Sequence, residues 1–490
     1  MIALLACANI SVMAQVSTPN TGVNWNLDSL VANFPSAFSL DTNVYAQIQD
    51  LTVSKNDTIA VNSAQWMIDT NIRITVEGTF ITNGTASAPT VLTSFDTITT
   101  WDGLRFEDSS FVSLNQSYFT YSGGLRVLTE NFSMDSCEVF YSHANGTSSS
   151  AALNFSRGKP SITNSNIYLN EQAAIGSGAN QEVSAYIYNC VIAYNSLSNA
   201  NRPQINLGPT HVDDTTYVLN SYILGDSTLD KVGGVSVSSL LGGQNVNAII
   251  DSNVITNNRY GVTMYNATYG RITNNMIIDN NTETNPMNGG SGISVYNGSG
   301  LIASGNTIAG NLWGVTIIGS ANINLGDTSA ANYNVGKNTF YNNGNGGVTY
   351  AVYNNTPNTI MAQNNCWTGD STATLADAEA VIFHQNDDAS LGEVIFDPIW
   401  DCTEPVDSTS GIHEESVAQL EVYPNPSTAS INVQSEGNGM LYIYNTSGVL
   451  INRFNVQHGN NHIEHQLKAG IYVLSLSAEG IRYRSKLIVN

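Results

Sequence analysis

The chain has 490 residues and a mass of 52.5 kDa, with 39 Asp+Glu against 16 Lys+Arg and a formal net charge of −23. This excess of acidic residues excludes a nucleic-acid-binding protein, because binding phosphates requires clustered basic side chains. With 42% hydrophobic and 11% charged residues, it is also excluded as a disordered chain. Abundant Asn, Ser, Thr and Gly disfavour long helices, so the sequence predicts an all-β protein.

The N-terminus is predicted to be an export signal. Residues 1–14 contain a short apolar run and end in Val12-Met13-Ala14, small or modest side chains of the kind found before a cleavage point. No Lys or Arg precedes the apolar run, so the signal is predicted to be truncated; the alternative is a buried strand. Residues 15–40 are predicted to form an N-terminal cap. No later stretch has the apolar length of a transmembrane span.

One short phrase recurs through the middle of the chain, as NSNIYLN at 164, NCVIAYN at 189, NSYILGD at 220, SNVITNN at 252, NNMIIDN at 274, GNTIAGN at 305 and KNTFYNN at 337. Successive copies lie between 22 and 32 residues apart, which is typical of a β-solenoid. The alternative is a β-sandwich rich in Asn turns. One position in each copy is predicted to form a buried ladder of stacked amides beside a column of aliphatic side chains. This predicted ladder contains Asn166, Asn253, Asn275, Asn306 and Asn338.

A second column of polar residues follows each copy, and we expect it to mark left-handed turns, which Asn tolerates. Its members are Asn195, Asp226, Asn258, Asn280, Asn311 and Asn343.

The cysteines after the signal form two groups. Cys366 and Cys402 bracket one segment. They could form a disulfide in an oxidising exterior, and a pair of unbonded thiols is the alternative. We expect Cys137 and Cys190 to be unbonded, because the alignment puts them on opposite strand faces and two coils apart.

These features together resemble the right-handed parallel β-helix repeat proteins of the pectate-lyase-like superfamily, over residues 41–400. The opening turns, which include WDGLRFED at 101–108, and the exit through AQNNCWTGD and VIFDPIW carry the same resemblance. It implies a right-handed parallel β-helix. Thr374 to Asn386 has the only convincing helical composition and is predicted to cover the open end of the solenoid.

Residues 403–416 read as a linker, and residues 417–490 contain a compact series of alternating strands. YPNP, GIYVL and the terminal KLIVN resemble the C-terminal sorting domain, type A, of type IX secretion cargo in Bacteroidetes-type bacteria. The resemblance implies a small Ig-like β-sandwich, contact with the type IX secretion machinery, and export followed by attachment to the cell surface. The alternative is a plain Ig-like adhesive module.

The catalytic signatures of the β-helix lyases and polygalacturonases are absent from the sequence, so we favour a protein without catalysis. Asp251 and Asp279, with Arg259 and Arg271 between them, are weak candidates for a carboxylate pair with a basic helper. Salt bridging among surface turns is the alternative and explains them as well.

A polar insertion contains His211, Asp213 and Asp214, which suit a metal site and in particular Ca²⁺. A solvated loop is the favoured alternative. No other cofactor is predicted.

Tyr260 and Trp313 occupy equivalent positions two coils apart, and outward-facing rings there would form a platform for successive sugars. Aromatic residues that only cover the core are the alternative. The leading hypothesis is a secreted, cell-surface protein that binds extracellular polysaccharide or cell-surface glycan without catalysis. A polysaccharide lyase or glycoside hydrolase of the same fold and a structural adhesin are the alternatives.

Overall fold

The computed structural model describes residues 15–148, 150–241, 243–402, 418–425, 427–445, 450–468, 470–478 and 481–489. The chain divides into two compact units, with the boundary between residues 406 and 407. The predicted signal, residues 1–14, and the predicted linker, residues 403–416, lie outside the described residues. No helix in the described part of the chain is long and apolar enough to cross a membrane.

The first unit is a solenoid of three long sheets, which we call the first, second and third sheets in the order in which each coil visits them. The strands of the first sheet are Val16–Ser17, Leu51–Val53, Arg73–Val76, Gly103–Phe106, Leu125–Val127, Ala151–Phe155, Ala173–Ser177, Ile205–Leu207, Val235–Ser238, Val262–Tyr265, Ser291–Tyr296, Trp313–Ile318, Val352–Asn355 and Ile382–Phe383. Those of the second sheet are Asn24–Trp25, Thr58–Asn62, Thr79–Asn83, Phe111–Asn115, Asn131–Asp135, Ser161–Thr163, Tyr186–Tyr188, Thr216–Leu219, Asn247–Asp251, Tyr269–Thr273, Leu301–Ser304 and Ile323–Asn324. Those of the third sheet are Phe38–Asp41, Val44–Gln47, Gln65–Ile68, Thr90–Ser94, Ser117–Thr120, Glu138–Phe140, Asn166–Tyr168, Val191–Ala193, Tyr222–Leu224, Val254–Thr256, Met276–Ile278, Thr307–Ala309 and Thr339–Tyr341.

Each strand pairs in parallel with the equivalent strand of the next coil, apart from the antiparallel pair Phe38–Asp41 and Val44–Gln47. The prediction of an all-β chain built on a parallel β-helix is confirmed. Strand alternation sends every second side chain inward, where the aliphatic column that includes Ile192, Ile255 and Ile277 is fully buried.

The buried amide ladder runs in one file along the start of the third sheet. Nδ2 of Asn253 donates to Oδ1 of Asn275 at 2.9 Å, and Asn275 donates to Asn306 at 3.0 Å. The file continues from Asn306 to Asn338 at 2.8 Å and from Asn338 to Asn365 at 2.9 Å. Each Oδ1 also accepts the backbone N–H of the preceding rung, as Asn275 does from Asn253 at 3.0 Å. The ladder therefore satisfies polar groups that would be costly to bury alone.

Asn166 is not a rung of this file, and its predicted place was wrong by one residue. Asn166 pairs with Val191, and Ile167 pairs with the buried Ile192. Pairing aliphatic with aliphatic keeps the interior apolar, so Ser165 takes the rung position and its Oγ accepts from the N–H of Cys137 at 3.0 Å.

The second polar column is also buried, and its members are rungs instead of left-handed turns. Asn258, Asn280, Asn311 and Asn343 are at most 1% exposed and pass hydrogen bonds from coil to coil. The positive φ angles fall on the residues just before them, which are Asn257, Asp279, Gly310 and Asn342. The left-handed turn therefore lies one residue before the position at which it was predicted.

Asp226 is not a rung of the second column. Its carboxylate accepts from the N–H and Oγ1 of Thr228 at the surface. Oε1 of Gln204 instead accepts from Nδ2 of Asn195 at 2.9 Å, and Nε2 of Gln204 donates to the Leu224 carbonyl. The longer glutamine therefore fills the place that the aspartate leaves.

Cys366 and Cys402 form a disulfide, with their Cα atoms 5.4 Å apart. Cys137 and Cys190 are buried and do not form a disulfide. They lie in the same file, with Ser165 between them, so their predicted placement on opposite strand faces was wrong, whereas their predicted separation by two coils is confirmed. Burial raises the pKa of the Cys137 thiol to about 12.

The solenoid begins before residue 41, because Val16–Ser17 and Asn24–Trp25 already pair with the next coil. The helix Leu27–Asn33, which was not predicted from the sequence, follows them; it is capped by Asn26 and buries Leu27 and Leu30. At the other end the predicted cap helix is limited to Leu375–Glu379. The strand Ile382–Phe383 then returns to the first sheet.

Two small sheets complete the first unit. The strands Gly344–Asn345 and Val348–Thr349 form an antiparallel hairpin, and Ile360–Met361 pairs in parallel with Val394–Ile395.

The second unit is a small sandwich of two sheets. One contains Ala418–Gln419, Ile481–Val489, Gly470–Ala478, Gly439–Asn445 and Leu450–Val456, and the other contains Val422–Tyr423, Ser430–Ser435 and Gly459–Glu464. Ile431, Leu441, Leu474 and Leu487 form its separate buried core. This agrees with the β-sandwich implied by the resemblance.

Candidate functional site

The outer face of the first sheet contains one continuous file of polar and small residues, each in register with the next. We call this file the polar strip; its members are Asn154, Gly176, Asn206, Ser236, Thr263, Ser294 and Thr316. At about 4.8 Å between strands the strip is about 29 Å long. Its length suits an extended ligand.

The polar strip is recessed although its side chains point away from the core. Asn154, Ser236, Ser294 and Thr316 are only 3–7% exposed, while the inward Val235 and Val237 flank Ser236 on the same strand. Oγ1 of Thr316 contacts the hydroxyls of Ser291 at 2.9 Å and Ser294 at 3.2 Å. The strip is therefore a shielded row of hydroxyl and amide groups.

Aromatic side chains border the strip on both sides. Tyr265 and Tyr296 pair across neighbouring strands on one side, with ring centroids 5.9 Å apart. Trp313 lies on the other side, and its ring centroid is 4.7 Å from that of Tyr350. It is also 4.9 Å from the ring centroid of Tyr353, which follows Thr316 in register and lies beyond the end of the strip. Nε1 of Trp313 donates to the carbonyl of Pro286 at 3.0 Å, which fixes the indole.

Tyr260 lies on the same side as Trp313, two coils earlier. Its ring covers Gly233, where a Cβ atom would lie 2.2 Å from Cζ of the tyrosine. Burial raises the pKa of Tyr260 to about 12, and the positive Arg259 and a hydrogen bond with Ser236 oppose the shift. Tyr260 therefore lies along the border of the strip in contact with its floor.

Two arginines continue the file beyond Asn154. Arg105 and Arg126 pair on adjacent strands, and Arg126 pairs with Asn154. Nε of Arg105 donates to Oε1 of Glu107 at 2.6 Å, and Nη1 of Arg126 donates to Oδ1 of Asn154. Burial lowers the pKa of the Arg126 guanidinium, and the charge of Arg105 lowers it further.

The structure separates the predicted carboxylate pair. Asp251 ends a second-sheet strand and accepts from Thr273 Oγ1 and from Asn274 Nδ2 at 3.0 Å. Asp279 follows a third-sheet strand, at a corner with φ of 56°. Asp279 corresponds in register to Asn257, six residues after Asp251, so a corner and the strand Val254–Thr256 put roughly 15 Å between the two positions. This is wider than paired glycosidase carboxylates require.

The two arginines named with that pair also lie apart. Arg259 donates to Oδ1 of Asn201 and to the carbonyl of Asn288, so it clamps two loops beside the first sheet. Arg271 is exposed on the second sheet, where its Nε donates to the Tyr269 hydroxyl at 2.9 Å.

In the predicted metal loop, Asp214 is held by Lys159 at 2.5 Å, with Nδ1 of His211 3.9 Å from its other oxygen. Nδ1 of His211 accepts from the N–H of Asp213 at 3.4 Å. Within the described ranges, no three His, Cys, Asp or Glu side chains form a group suited to a metal. The lysine already neutralises the best-placed carboxylate.

The polar strip and the two arginines were missed at the level of sequence, although a signal was present. Gly103-Leu104-Arg105 and Gly124-Leu125-Arg126 repeat one tripeptide on adjacent coils. The strip itself varies between Asn, Gly, Ser and Thr, so only the strand register reveals it.

Comparison with known protein families identifies the kind of domain that the C-terminal unit is. Residues 421–490 match the family model of the secretion system C-terminal sorting domain. This unit is a type IX sorting domain. The protein that carries this sorting domain is secreted and attached to the cell surface. The machinery that recognises sorting domains is therefore one of its partners.

The comparison with solved structures finds the periplasmic alginate epimerase AlgG at 16% identity and a TM-score of 0.39, over 69% of this chain and 81% of that chain. Two mutant forms of that epimerase give TM-scores of 0.34 and 0.32 at 15% and 14% identity, each over 77% of this chain and 82% of that one. A search of curated proteins gives no match.

Proposed function

We propose that this secreted, surface-attached protein binds an extracellular glycan along the polar strip, without turning it over. The observation that carries the proposal is the recessed row of hydroxyl and amide groups between two aromatic borders. Sugars present hydroxyl groups at their edges and apolar C–H groups on their faces, which match polar floors and aromatic walls respectively. An export signal in residues 1–14 and a Bacteroidetes-type source belong to the same proposal.

Absence of turnover is proposed on the chemistry of the strip. From Asn154 to Thr316 its members are amides, hydroxyls and glycine, which do not exchange protons readily near neutral pH. Asp251 and Asp279, the weak catalytic candidates, lie at other corners of the solenoid. General acid–base catalysis requires a titratable group within reach of the reacting bond.

The test is binding of the mature protein to a panel of purified plant, algal and bacterial polysaccharides, with product analysis of every mixture. We expect retention without shortened or unsaturated products. Trp313→Ala should weaken binding about tenfold, since an aromatic contact and its burial account for about 1.4 kcal/mol.

The matched control is Tyr186→Ala, which removes an exposed aromatic residue from the second sheet and should leave binding unchanged. Equal loss in both variants would contradict binding at the strip. Unsaturated or shortened products would instead support the alternative of a lyase or hydrolase.

A further inference from the structure

The strip ends in two guanidinium groups that stand side by side. Arg105 and Arg126 are register partners on adjacent strands, so their attachment points are about 4.8 Å apart. Both face outward, because the flanking Leu104, Phe106, Leu125 and Val127 are fully buried. We call them the arginine pair.

The charges of the arginine pair are only partly balanced within the protein. Glu107 binds Arg105. Among the described residues no carboxylate forms an ion pair with Arg126, whose partner is the amide oxygen of Asn154. The arginine pair therefore has more positive charge than its one carboxylate balances.

Asn154 holds the Arg126 side chain in a fixed position. Its Nδ2 donates to Oγ of Ser150, which directs its Oδ1 towards the guanidinium. Burial and the neighbouring arginine both disfavour the charged form of Arg126 and lower its pKa. A guanidinium oriented in this way and short of negative charge is suited to bind an oxyanion, because its N–H groups match two oxygens at once.

We propose that the arginine pair is an anion subsite at one end of the polar strip, and that the glycan bound there carries an oxyanion, either a uronic acid carboxylate or a sulfate ester. This inference rests on the proposed function, since it places a charged group of the same ligand at the end of the same polar strip. Asn154 acts as a positioning residue for Arg126.

The experiment measures binding of the mature protein to two matched polysaccharide pairs. One pair is a polyuronate and its carboxyl-reduced form, and the other is a sulfated galactan and its desulfated form. We expect at least one charged form to bind ten or more times tighter than its neutral partner, with affinity falling as salt is raised. The polysaccharide pair that shows the larger difference between charged and neutral forms identifies the anion as carboxylate or sulfate.

Arg126→Gln should reduce the preference for the charged form to less than twofold, chiefly by weakening binding of the charged form. Arg126→Lys keeps the charge but lacks the two-pronged geometry, so it should retain only part of the preference. Arg271→Gln removes an exposed arginine from the second sheet and is the control. Thermal unfolding of each variant shows whether it is folded.

The outcomes separate the two proposals. If charged and neutral forms bind equally, and Arg126→Gln changes neither while Trp313→Ala weakens both, glycan binding stands and the anion subsite is overturned. If the preference for charge survives in folded Arg126→Gln and Arg105→Gln proteins, the anion binds elsewhere and the inference also fails. Absence of binding to all four polymers overturns both proposals.

Discussion

At the scale of single residues, Asp57 fastens the N-terminal coil to the solenoid. Its buried carboxylate accepts the backbone N–H groups of Asn20, Thr21, Gly22 and Val23 at 2.8–3.1 Å. Burial acts to raise the pKa of Asp57, but hydrogen bonds from Thr18 and from these backbone groups outweigh it, so the pKa is lowered. The ionised form therefore stabilises the folded state.

Asp57→Asn should lower the free energy of unfolding by about 1–3 kcal/mol at pH 7, because fewer of the four N–H groups keep an acceptor. A carboxylate with a lowered folded pKa stabilises the fold above its unfolded pKa of about 3.9, and this contribution is lost as the pH falls through the folded pKa. Urea unfolding at pH 7 and at pH 3 measures it: the difference between wild type and variant should shrink at the lower pH. A stability difference between wild type and Asp57→Asn that does not depend on pH would contradict this role. The control is Asp108→Asn, which removes a largely exposed carboxylate.

Residues at the corners show why certain side chains recur. The corner before the third sheet has positive φ at Asn164, Asn189, Asn220 and Asn274, where asparagine is well tolerated. The corner after it has positive φ at Tyr121, Tyr141 and Tyr194, where a bulky side chain is rare. The first corner could be expected from its asparagines, whereas nothing in a tyrosine indicates a left-handed backbone.

At the scale of elements, the buried amide ladder changes its residue types along the solenoid, but each position still accepts a hydrogen bond from the backbone N–H of the preceding rung. Ser165 and Ser221 accept the backbone N–H of the preceding rung through Oγ at 3.0 Å, as Asn275 does through Oδ1. The shared requirement is a buried acceptor for that N–H group. Asparagine adds a donor that reaches the next coil.

Asn275→Ala should destabilise the protein by about 2–4 kcal/mol, because it leaves buried polar groups on two coils without partners. Asn275→Ser should recover part of that loss, since a serine Oγ accepts the same N–H group elsewhere in the file. Thermal unfolding of the two variants beside the exposed-loop control Asn288→Ala measures this. Equal losses for Ala and Ser would show that the acceptor is not what the position requires.

The strands, the aliphatic column and most of the amide ladder were accessible from the sequence, because each is repeated in every coil. The rung in the NSNIYLN copy was misplaced, since that copy offers asparagine at both 164 and 166 and only strand pairing chooses between neighbouring positions. The polar strip could not be predicted from the sequence, because its residue types vary from coil to coil and only the strand register aligns them. Asp251 and Asp279 were paired because they lie near successive strands of the repeat, but a whole strand separates their corners.

At the scale of the whole molecule, a disulfide closes the C-terminal coils of the solenoid, and the sorting domain folds around a core of its own. The disulfide between Cys366 and Cys402 closes a segment of 36 residues that contains the helix Leu375–Glu379 and the last strands of the solenoid. A cross-link of this span restricts the unfolded chain and stabilises the terminal coils. The sorting domain forms a separate unit with its own core.

Cys402→Ser should lower the stability of the C-terminal coils by about 2–4 kcal/mol, since it restores entropy to the unfolded segment. The thermal unfolding midpoint of the variant, compared with wild type with and without a reductant, measures the effect. Reductant should lower the midpoint of wild type towards that of the variant and leave the variant unchanged. A variant as stable as the oxidised wild type would contradict this role.

Deleting residues 417–490 should abolish attachment to the cell surface while leaving glycan binding by the purified solenoid intact, because the polar strip and the sorting domain belong to different units. Cell fractionation and binding assays measure the two properties separately. Surface display of the truncated chain would contradict the assigned role of the sorting domain.

The most direct test of the account is a crystal structure of the mature protein with an oligosaccharide cut from the polymer that it binds best. We predict sugar density on the outer face of the first sheet, in contact with Ser294 and Thr316 and bordered by Trp313. Sugar density on the second or third sheet, with the polar strip filled only by water, would contradict it.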